Sequence, residues 1–147
     1  MIEAQGLRKR YGTLDVLKGV ELHVAKGEIV SIVGASGAGK TTLLQILGTL
    51  ENADSGTLRI GGENVTSLGT NALSAFRNRH IGFVFQFHQL LPEFSALENV
   101  MMPGLIAGKS QSECRPRAEE LLTRLNVIAR KEHKPNQLSG GEQQRMA

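Results

Sequence analysis

The sequence predicts an α/β fold built around a glycine-rich turn, and three adjacent features support this prediction. Residues 29–33 form a nearly continuous apolar run with β-branched side chains, typical of a strand buried on both faces of a parallel sheet. A segment with three glycines, residues 34–41, follows at once. Leucines at helical spacing come next, so the order is strand, glycine loop and helix.

The glycine segment reads GASGAGKT and fits G-x-x-x-x-G-K-[ST] at every fixed position. Its glycines let the backbone curve so that N–H groups face one anion, and the following helix adds its N-terminal donors and dipole. Lys40 is expected to reach the outer phosphates of a nucleotide, and the Thr41 hydroxyl to hold Mg²⁺. A glycine-rich turn without a ligand is the alternative. The flanking strand and helix favour a P-loop NTPase.

The composition of the 147 residues indicates one ordinary globular domain, with 40% hydrophobic and 21% charged residues. A net charge of +3 is too small to indicate nucleic acid or an anionic membrane as a partner. The single cysteine, Cys114, excludes an internal disulfide, and we expect a surface thiol there. The four histidines lack metal-ligand spacing, and no secretory signal or membrane-spanning run is found.

A small antiparallel layer is predicted before the glycine loop. Residues 20–24 alternate between apolar and polar side chains, which indicates a strand with one buried face, and residues 25–28 form a tight turn. Tyr11, the only tyrosine, ends a mixed apolar and basic segment. A core or surface tyrosine is the simpler interpretation; the alternative is a ring on which an adenine base stacks.

A second buried strand is predicted over residues 81–85, after a short strand at 57–60 and a basic helix at 71–79. Gln86 follows that strand directly, and open α/β sheets bind ligands at the carboxyl ends of their strands. Gln86 could therefore contact Mg²⁺ or an attacking water. A loop-capping role explains it equally well.

Helices are predicted from about residue 88 onwards. Capping boxes begin at Ser95 and Ser110, and an apolar face follows over residues 118–125. Pro103 predicts a kink or an early end of the first of these helices, because it removes a hydrogen bond and its ring clashes with the preceding turn. Gly108 is expected to end this element.

Another capping box, Ser139-x-x-Glu142, lies at the end of the sequence and contains two adjacent glycines. Each glycine in a helix costs about 1 kcal/mol relative to alanine, which makes sense if another molecule approaches the backbone. A serine hydroxyl, bare N–H groups and a helix dipole suit a second anion site. Two phosphate sites in one small chain suggest a nucleotide shared between two copies.

The glycine loop, Gln86 and the segment LSGGEQQR at residues 138–145 together resemble the nucleotide-binding domain of ABC transporters. The segment FQFHQLLPEFSALENVMMP, residues 85–103, is more similar to the ATPase subunits of lipoprotein-releasing systems. Macrolide exporters and a cell-division ATPase share much of this pattern. The resemblance implies an antiparallel β layer and a partial RecA-like parallel core over residues 1–87. The resemblance also implies a helical subdomain over residues 88–137. Residues 138–147, which contain LSGGEQQR, would form the signature motif of the family and the start of a helix.

The resemblance also implies residue roles. Tyr11 would stack on adenine, Lys40 and Gln86 would act in catalysis, and Thr41 and Gln86 would hold Mg²⁺. The phosphate-binding residues would be Gly34, Ala35, Ser36, Gly37, Ala38, Gly39, Lys40, Thr41 and Thr42. The signature residues, which would cover the ATP of the opposite protomer, are Ser139, Gly140, Gly141 and Glu142.

ATP and Mg²⁺ are thus the implied ligands, with no nucleic acid. The implied partners are a second nucleotide-binding subunit in a head-to-tail dimer and integral membrane permease subunits docked on residues 88–136. The place of action would be the cytoplasmic face of the bacterial inner membrane. A non-catalytic ATP-binding fragment is the alternative from another class. An unrelated P-loop kinase or GTPase is disfavoured by the Ser-Gly-Gly segment.

The family pattern continues beyond Ala147 into an apolar strand ending in Asp-Glu, the Walker B residues, and then a switch histidine. The glutamate would be the general base, whose loss typically costs about 10²–10⁴-fold in rate. We therefore expect this polypeptide to be a fragment or truncated product that is poorly soluble and nearly inactive alone. Its predicted buried strands would expose unpaired edges and apolar faces.

Overall fold

A computed structural model describes residues 1–147, which form two compact units, residues 1–77 and 78–147. None of the helices is long and apolar enough to cross a membrane. The predicted subdivision at residues 87 and 137 stays a prediction.

The first unit contains a four-stranded antiparallel sheet. Its strands are β1 (Ile2–Tyr11), β2 (Leu14–Val24), β3 (Ser55–Ile60) and β4 (Glu63–Asn64), in the order β2-β1-β3-β4. The strands predicted at residues 20–24 and 57–60 and the antiparallel layer are confirmed. Gly56 sits where β3 crosses β1 closely: a Cβ there would lie 2.6 Å from the Gly6 carbonyl oxygen. Only glycine fits that approach.

Helix α1 (Lys40–Leu47) follows the glycine loop, as predicted. It belongs to the same unit as the sheet, and both contribute buried apolar side chains to the core of that unit. Those side chains are Ala4, Leu7, Leu17, Leu43, Ile46 and Leu58, and Val65, in a short 3-10 turn after β4, is buried as well. Helix α2 (Thr70–His80) confirms the basic helix predicted at residues 71–79.

The second unit is helical, with α3 (Ala96–Ile106), α4 (Gln111–Arg124) and α5 (Gly140–Met146). Their buried side chains form one core: Ala96, Leu97, Met101, Cys114, Ala118, Leu122, Val127, Leu138 and Met146. The capping boxes predicted at Ser95, Ser110 and Ser139 are all formed.

One expectation for the helices is wrong, and of the two outcomes predicted at Pro103, a kink or an early end, the early end does not occur. Cys114 is buried rather than a surface thiol, because α4 approaches α3 closely: a Cβ on Gly104 would lie 2.6 Å from the Cys114 sulfur. Helix α3 does not end at Pro103 but continues to Ile106, and the chain turns at Gly108 with a φ of 86°. The buried face of α3 holds the helix together across the single hydrogen bond that the proline removes.

The buried strands predicted at residues 29–33 and 81–85 are also wrong as assignments. Neither segment pairs with any strand, and their side chains are largely exposed: Ile29 is 98% exposed and Val84 is 88% exposed. A strand needs a hydrogen-bonded neighbour, and the strands of this chain pair only with one another, in antiparallel fashion. The structure therefore contains no paired parallel strands.

Candidate functional site

The glycine loop curves because its backbone adopts conformations that only glycine tolerates well. Gly37 and Gly39 have φ angles of 80° and 83°, in the left-handed region. Gly39 also precedes α1 directly, and a Cβ there would lie 2.9 Å from Cγ1 of Val16. Positive φ and close contact with β2 together require glycine at this position. The glycine loop therefore ends in a tight turn at Gly39, and α1 begins at the next residue.

Lys40 lies across the mouth of this loop. Its Nζ donates hydrogen bonds to the carbonyl oxygens of Gly34, at 2.9 Å, and Ala35, at 2.6 Å. The Ala38 N–H donates to the Ala35 carbonyl, which closes the turn inside the loop. An ammonium group carries three N–H donors. One donor therefore remains for an anion even while Lys40 holds the loop.

The loop and Tyr11 line one cleft of about 340 Å³ in the first unit. The lining residues are Tyr11, Val16, Ser36, Gly37, Gly39, Lys40, Thr41 and Thr42. Tyr11 is 46% exposed, so part of its ring remains open to a ligand. The structure thus brings Tyr11 together with six residues of the predicted phosphate site, which lie about 25 to 31 residues later in the sequence. It does not place the other three, Gly34, Ala35 and Ala38, in the lining of the cleft.

The chemistry of this cleft fits a nucleotide with a divalent cation. The first N–H groups of α1 lack intrahelical acceptors and point towards the cleft end of the helix, where the dipole favours negative charge. Lys40 adds a positive charge, and the Thr41 hydroxyl supplies a hard oxygen of the kind that Mg²⁺ prefers. An aromatic ring next to an anion site suits a base attached to phosphates.

The other predicted site residues lie in the second unit. Gln86 sits in an exposed bend, directly after Phe85. The Phe85 carbonyl accepts a hydrogen bond from the Gln144 side chain at 3.1 Å, so α5 is attached to the segment that carries Gln86. The sequence did not predict this contact, because it joins residues 59 positions apart and no local motif at Gln144 indicates it.

Ser139 caps α5 in a closed set of hydrogen bonds. Its N–H and hydroxyl both donate to Oε2 of Glu142 at 2.8 Å, and its hydroxyl accepts from the Glu142 N–H at 3.3 Å. Arg130 binds the other carboxylate oxygen at 3.2 Å. These contacts, first of all the bond from the Ser139 backbone, lower the pKa of Glu142 to about 2. The two glycines after Ser139 are exposed, and no atom would meet a Cβ on Gly140 within 4 Å.

Sequence reasoning missed three residues around these sites: Val16, Lys9 and Arg130. Val16 lines the cleft, Lys9 lies over the Tyr11 ring, and Arg130 braces Glu142. Only Lys9 left a signal, since residues two apart in a strand share a face. Val16 and Arg130 reach their sites through contacts between distant chain segments, which no local sequence pattern predicts.

Comparison with known proteins gives consistent results. The sequence matches the ABC transporter family over residues 17–147. It is 61% identical to the lipoprotein-releasing system ATP-binding protein LolD of Porphyromonas gingivalis, and 60% identical to LolD of Bacteroides thetaiotaomicron. Both matches cover 100% of the chain and 67% of the relative.

The fold is also similar to solved structures. A dimeric bacterial ABC transporter cassette, MJ0796, aligns with a TM-score of 0.90 and 40% identity over 99% of this chain and 66% of that one. A dimer of the same cassette in a post-hydrolysis state, bound to ADP and Pi, gives a TM-score of 0.89. The chain therefore spans about two thirds of the length of the proteins it matches. On the family match and these identities, this chain belongs to the ABC transporter family.

Proposed function

We propose that this chain is the ATP-binding and ATP-hydrolysing part of a bacterial ABC transporter that drives lipoprotein release from the inner membrane. One observation carries the nucleotide proposal: Tyr11 and the phosphate-loop residues line a single cleft. The lipoprotein part rests on relatives named LolD, two of which are 61% and 60% identical to this chain.

In this proposal the cleft residues divide the nucleotide between them. Tyr11 stacks on the adenine, and the curved loop with the α1 N-terminus binds the phosphates. The loop residues concerned are Gly34, Ala35, Ser36, Gly37, Ala38, Gly39, Lys40, Thr41 and Thr42. Gly34, Ala35 and Ala38 belong to this loop but are not among the residues that line the cleft. Thr41 and Gln86 would hold Mg²⁺, which supplies charge neutralisation at the phosphates. Gln86 would also orient the attacking water.

The signature residues Ser139, Gly140, Gly141 and Glu142 are proposed to cover the ATP of an opposite protomer. The exposed glycine backbone supports this, because nothing in the chain occupies the space next to Gly140. The dimeric cassettes of similar fold support a second nucleotide-binding subunit. Membrane permease subunits complete the proposed assembly, at the cytoplasmic face of the inner membrane.

The proposal is tested by ATP titration of the intact protein and its Lys40→Ala variant in a calorimeter. Losing a charged hydrogen bond to phosphate costs about 1.5–3 kcal/mol, so affinity should fall about 10- to 100-fold. Lys26→Ala is the matched control, since Lys26 is exposed and lies outside the cleft residues. Equal affinities of all three proteins would refute nucleotide binding at this cleft.

Hydrolysis and binding are separated by Gln86→Ala. Because Gln86 is proposed to act on the water and the metal, this variant, made in a full-length version of the protein, should retain ATP affinity and lose phosphate release. A normal rate of phosphate release would remove Gln86 from the proposed mechanism.

A further inference from the structure

Lys9 is unusual because its charged side chain is buried in the first unit. It lies in β1, and the residue is only 9% exposed. Lysines are almost never buried unless their charge is paired. The nucleotide proposal assigns Lys9 no role, so its burial needs a separate explanation.

The ammonium group is fixed by the segment that follows α1. Its Nζ donates to Oε1 of Glu51 and to the carbonyl oxygen of Asn52, both at 2.7 Å. Asp54 lies 3.5 Å away and adds a second negative charge. The hydrogen bond to Glu51 is the main reason that the pKa of Lys9 is raised, so the group stays positively charged.

The same segment is fastened to β1 on both sides of Lys9. The Asp54 N–H donates to the Arg8 carbonyl at 2.9 Å, and the Asp54 carboxylate accepts from the Arg10 N–H at 2.7 Å. These two hydrogen bonds, one to a backbone carbonyl and one to the Asp54 carboxylate, keep the acidic segment in place against the strand. The acceptors of the Lys9 ammonium group are therefore held in place by hydrogen bonds to β1, and they fix the position of this group.

This fixed charge lies over the ring of Tyr11. The distance from Nζ to the ring centroid is 5.3 Å, within the range of a cation–π contact. Lys9 and Tyr11 are two residues apart in β1 and so share a face of the strand. Tyr11 also lines the cleft that holds the phosphate loop.

We propose that Lys9 is a positioning residue for the base of the bound nucleotide, acting by holding the Tyr11 ring in its stacking orientation. This inference rests on the proposed ATP site. A ring fixed in advance loses less conformational entropy when a base stacks on it, which favours binding. Lys9 itself touches neither the phosphates nor the base in this proposal.

The experiment compares two ligands, MgATP and magnesium tripolyphosphate, with the intact protein and its Lys9→Gln variant. Glutamine retains a donor for Glu51 and Asn52 but lacks the charge. We expect ATP affinity to fall about three- to ten-fold and tripolyphosphate affinity to stay unchanged. Parallel losses for both ligands, including losses through unfolding, would overturn the proposal, because a merely structural role affects both.

A double-mutant cycle with Tyr11→Ala provides the second measurement. If Lys9 acts through the ring, Lys9→Gln should have no further effect on ATP affinity once Tyr11 is removed. Additive losses would overturn the proposal. Glu51→Gln, which keeps the hydrogen bond to Lys9 but not the charge, should give a smaller ATP-selective loss.

Fluorescence gives a direct readout of the ring. Tyr11 is the only tyrosine in the chain, which has no tryptophan, so the chain's tyrosine emission reports this side chain. ATP should change that emission in the parent chain and change it less in Lys9→Gln; an identical response would count against the inference. The ATP site itself is tested separately by Lys40→Ala, which should weaken the binding of both MgATP and magnesium tripolyphosphate. Failure of the parent protein to bind ATP would refute the site, whereas failure of the Lys9 comparison alone would refute only the positioning role.

Discussion

At the residue scale, Gly39 links the shape of the glycine loop to the sheet. Its φ of 83° disfavours any side chain, and a Cβ would lie only 2.9 Å from Cγ1 of Val16. Two independent physical constraints therefore act on one position. Lys40, the next residue, owes its direction to this turn, because its ammonium group reaches back to the Gly34 and Ala35 carbonyls.

Gly39→Ala should destabilise the first unit more than Gly12→Ala. A left-handed conformation costs a non-glycine residue about 1–3 kcal/mol, and at Gly39 the clash with Val16 adds to it. Gly12 is the matched control, with a φ of 58° and no atom within 4 Å of a Cβ. Chemical denaturation of the parent and both variants measures the difference. Equal free energies of unfolding for the two variants would contradict the contact with Val16.

At the element scale, the three serine capping boxes of α3, α4 and α5 are alike in their hydrogen bonds but not in their surroundings. Ser95, Ser110 and Ser139 each accept from a glutamate N–H three residues later and bind that carboxylate in return. Only the Glu142 carboxylate in α5 also binds an arginine, Arg130. The last helix is thus attached to the loop that precedes it as well as to its own cap.

The cap of α5 should respond to acid in a defined window. Because the pKa of Glu142 is about 2 in the folded chain, below the ordinary value of 4.5, its contribution to stability is complete above pH 4.5. It should be lost as the pH falls from 4.5 towards 2. A carboxyl-detected NMR titration gives the midpoint directly, and Arg130→Gln should raise it. A midpoint near 4.5 in the parent chain would contradict the capping geometry.

At the scale of the whole molecule, apolar side chains are distributed unevenly between core and surface. Leu58 is buried in the first unit, whereas Ile29 in the same unit is almost fully exposed. In the second unit Val84 and Phe87 are exposed as well. Exposed apolar segments without strand partners favour self-association.

Ile29→Ser should therefore raise the solubility of the chain and leave its stability within about 0.5 kcal/mol of the parent value. Leu58→Ala, in the core, should cost about 2–5 kcal/mol. Sedimentation velocity measures the association, and urea denaturation measures the stability. A large loss of stability from Ile29→Ser would mean that this segment is buried in solution.

The proposed dimer is tested by Ser139→Arg in the intact protein. A long charged side chain at the signature serine should leave ATP binding unchanged but prevent ATP-dependent dimer formation, and with it turnover. Ser110→Arg is the matched control, since it disturbs an equivalent cap on another helix. Light scattering with and without MgATP gives the mass. Normal dimers and turnover in Ser139→Arg would remove Ser139 from the opposite protomer's site.

The local features of this protein follow from its sequence because their causes lie within a few residues. The helix after the glycine loop, the three serine caps and the strands at residues 20–24 and 57–60 depend on glycine conformations, short hydrogen bonds and side-chain periodicity, and these were predicted correctly. Strands β1 and β4 were not predicted. The family also follows from motifs, since glycine loop and signature are both contiguous segments.

Tertiary structure decided what depends on distant segments meeting. Residues 29–33 have the composition of a buried strand, yet they pair with nothing, because pairing requires a partner and not a pattern. Cys114 in α4 is buried because α3 has a glycine, Gly104, at the point of contact, where a larger residue would clash with the sulfur. The cleft joins Tyr11 to a loop some 25 residues later, and Lys9 gains its place over that ring only because residues 51–54 return to β1.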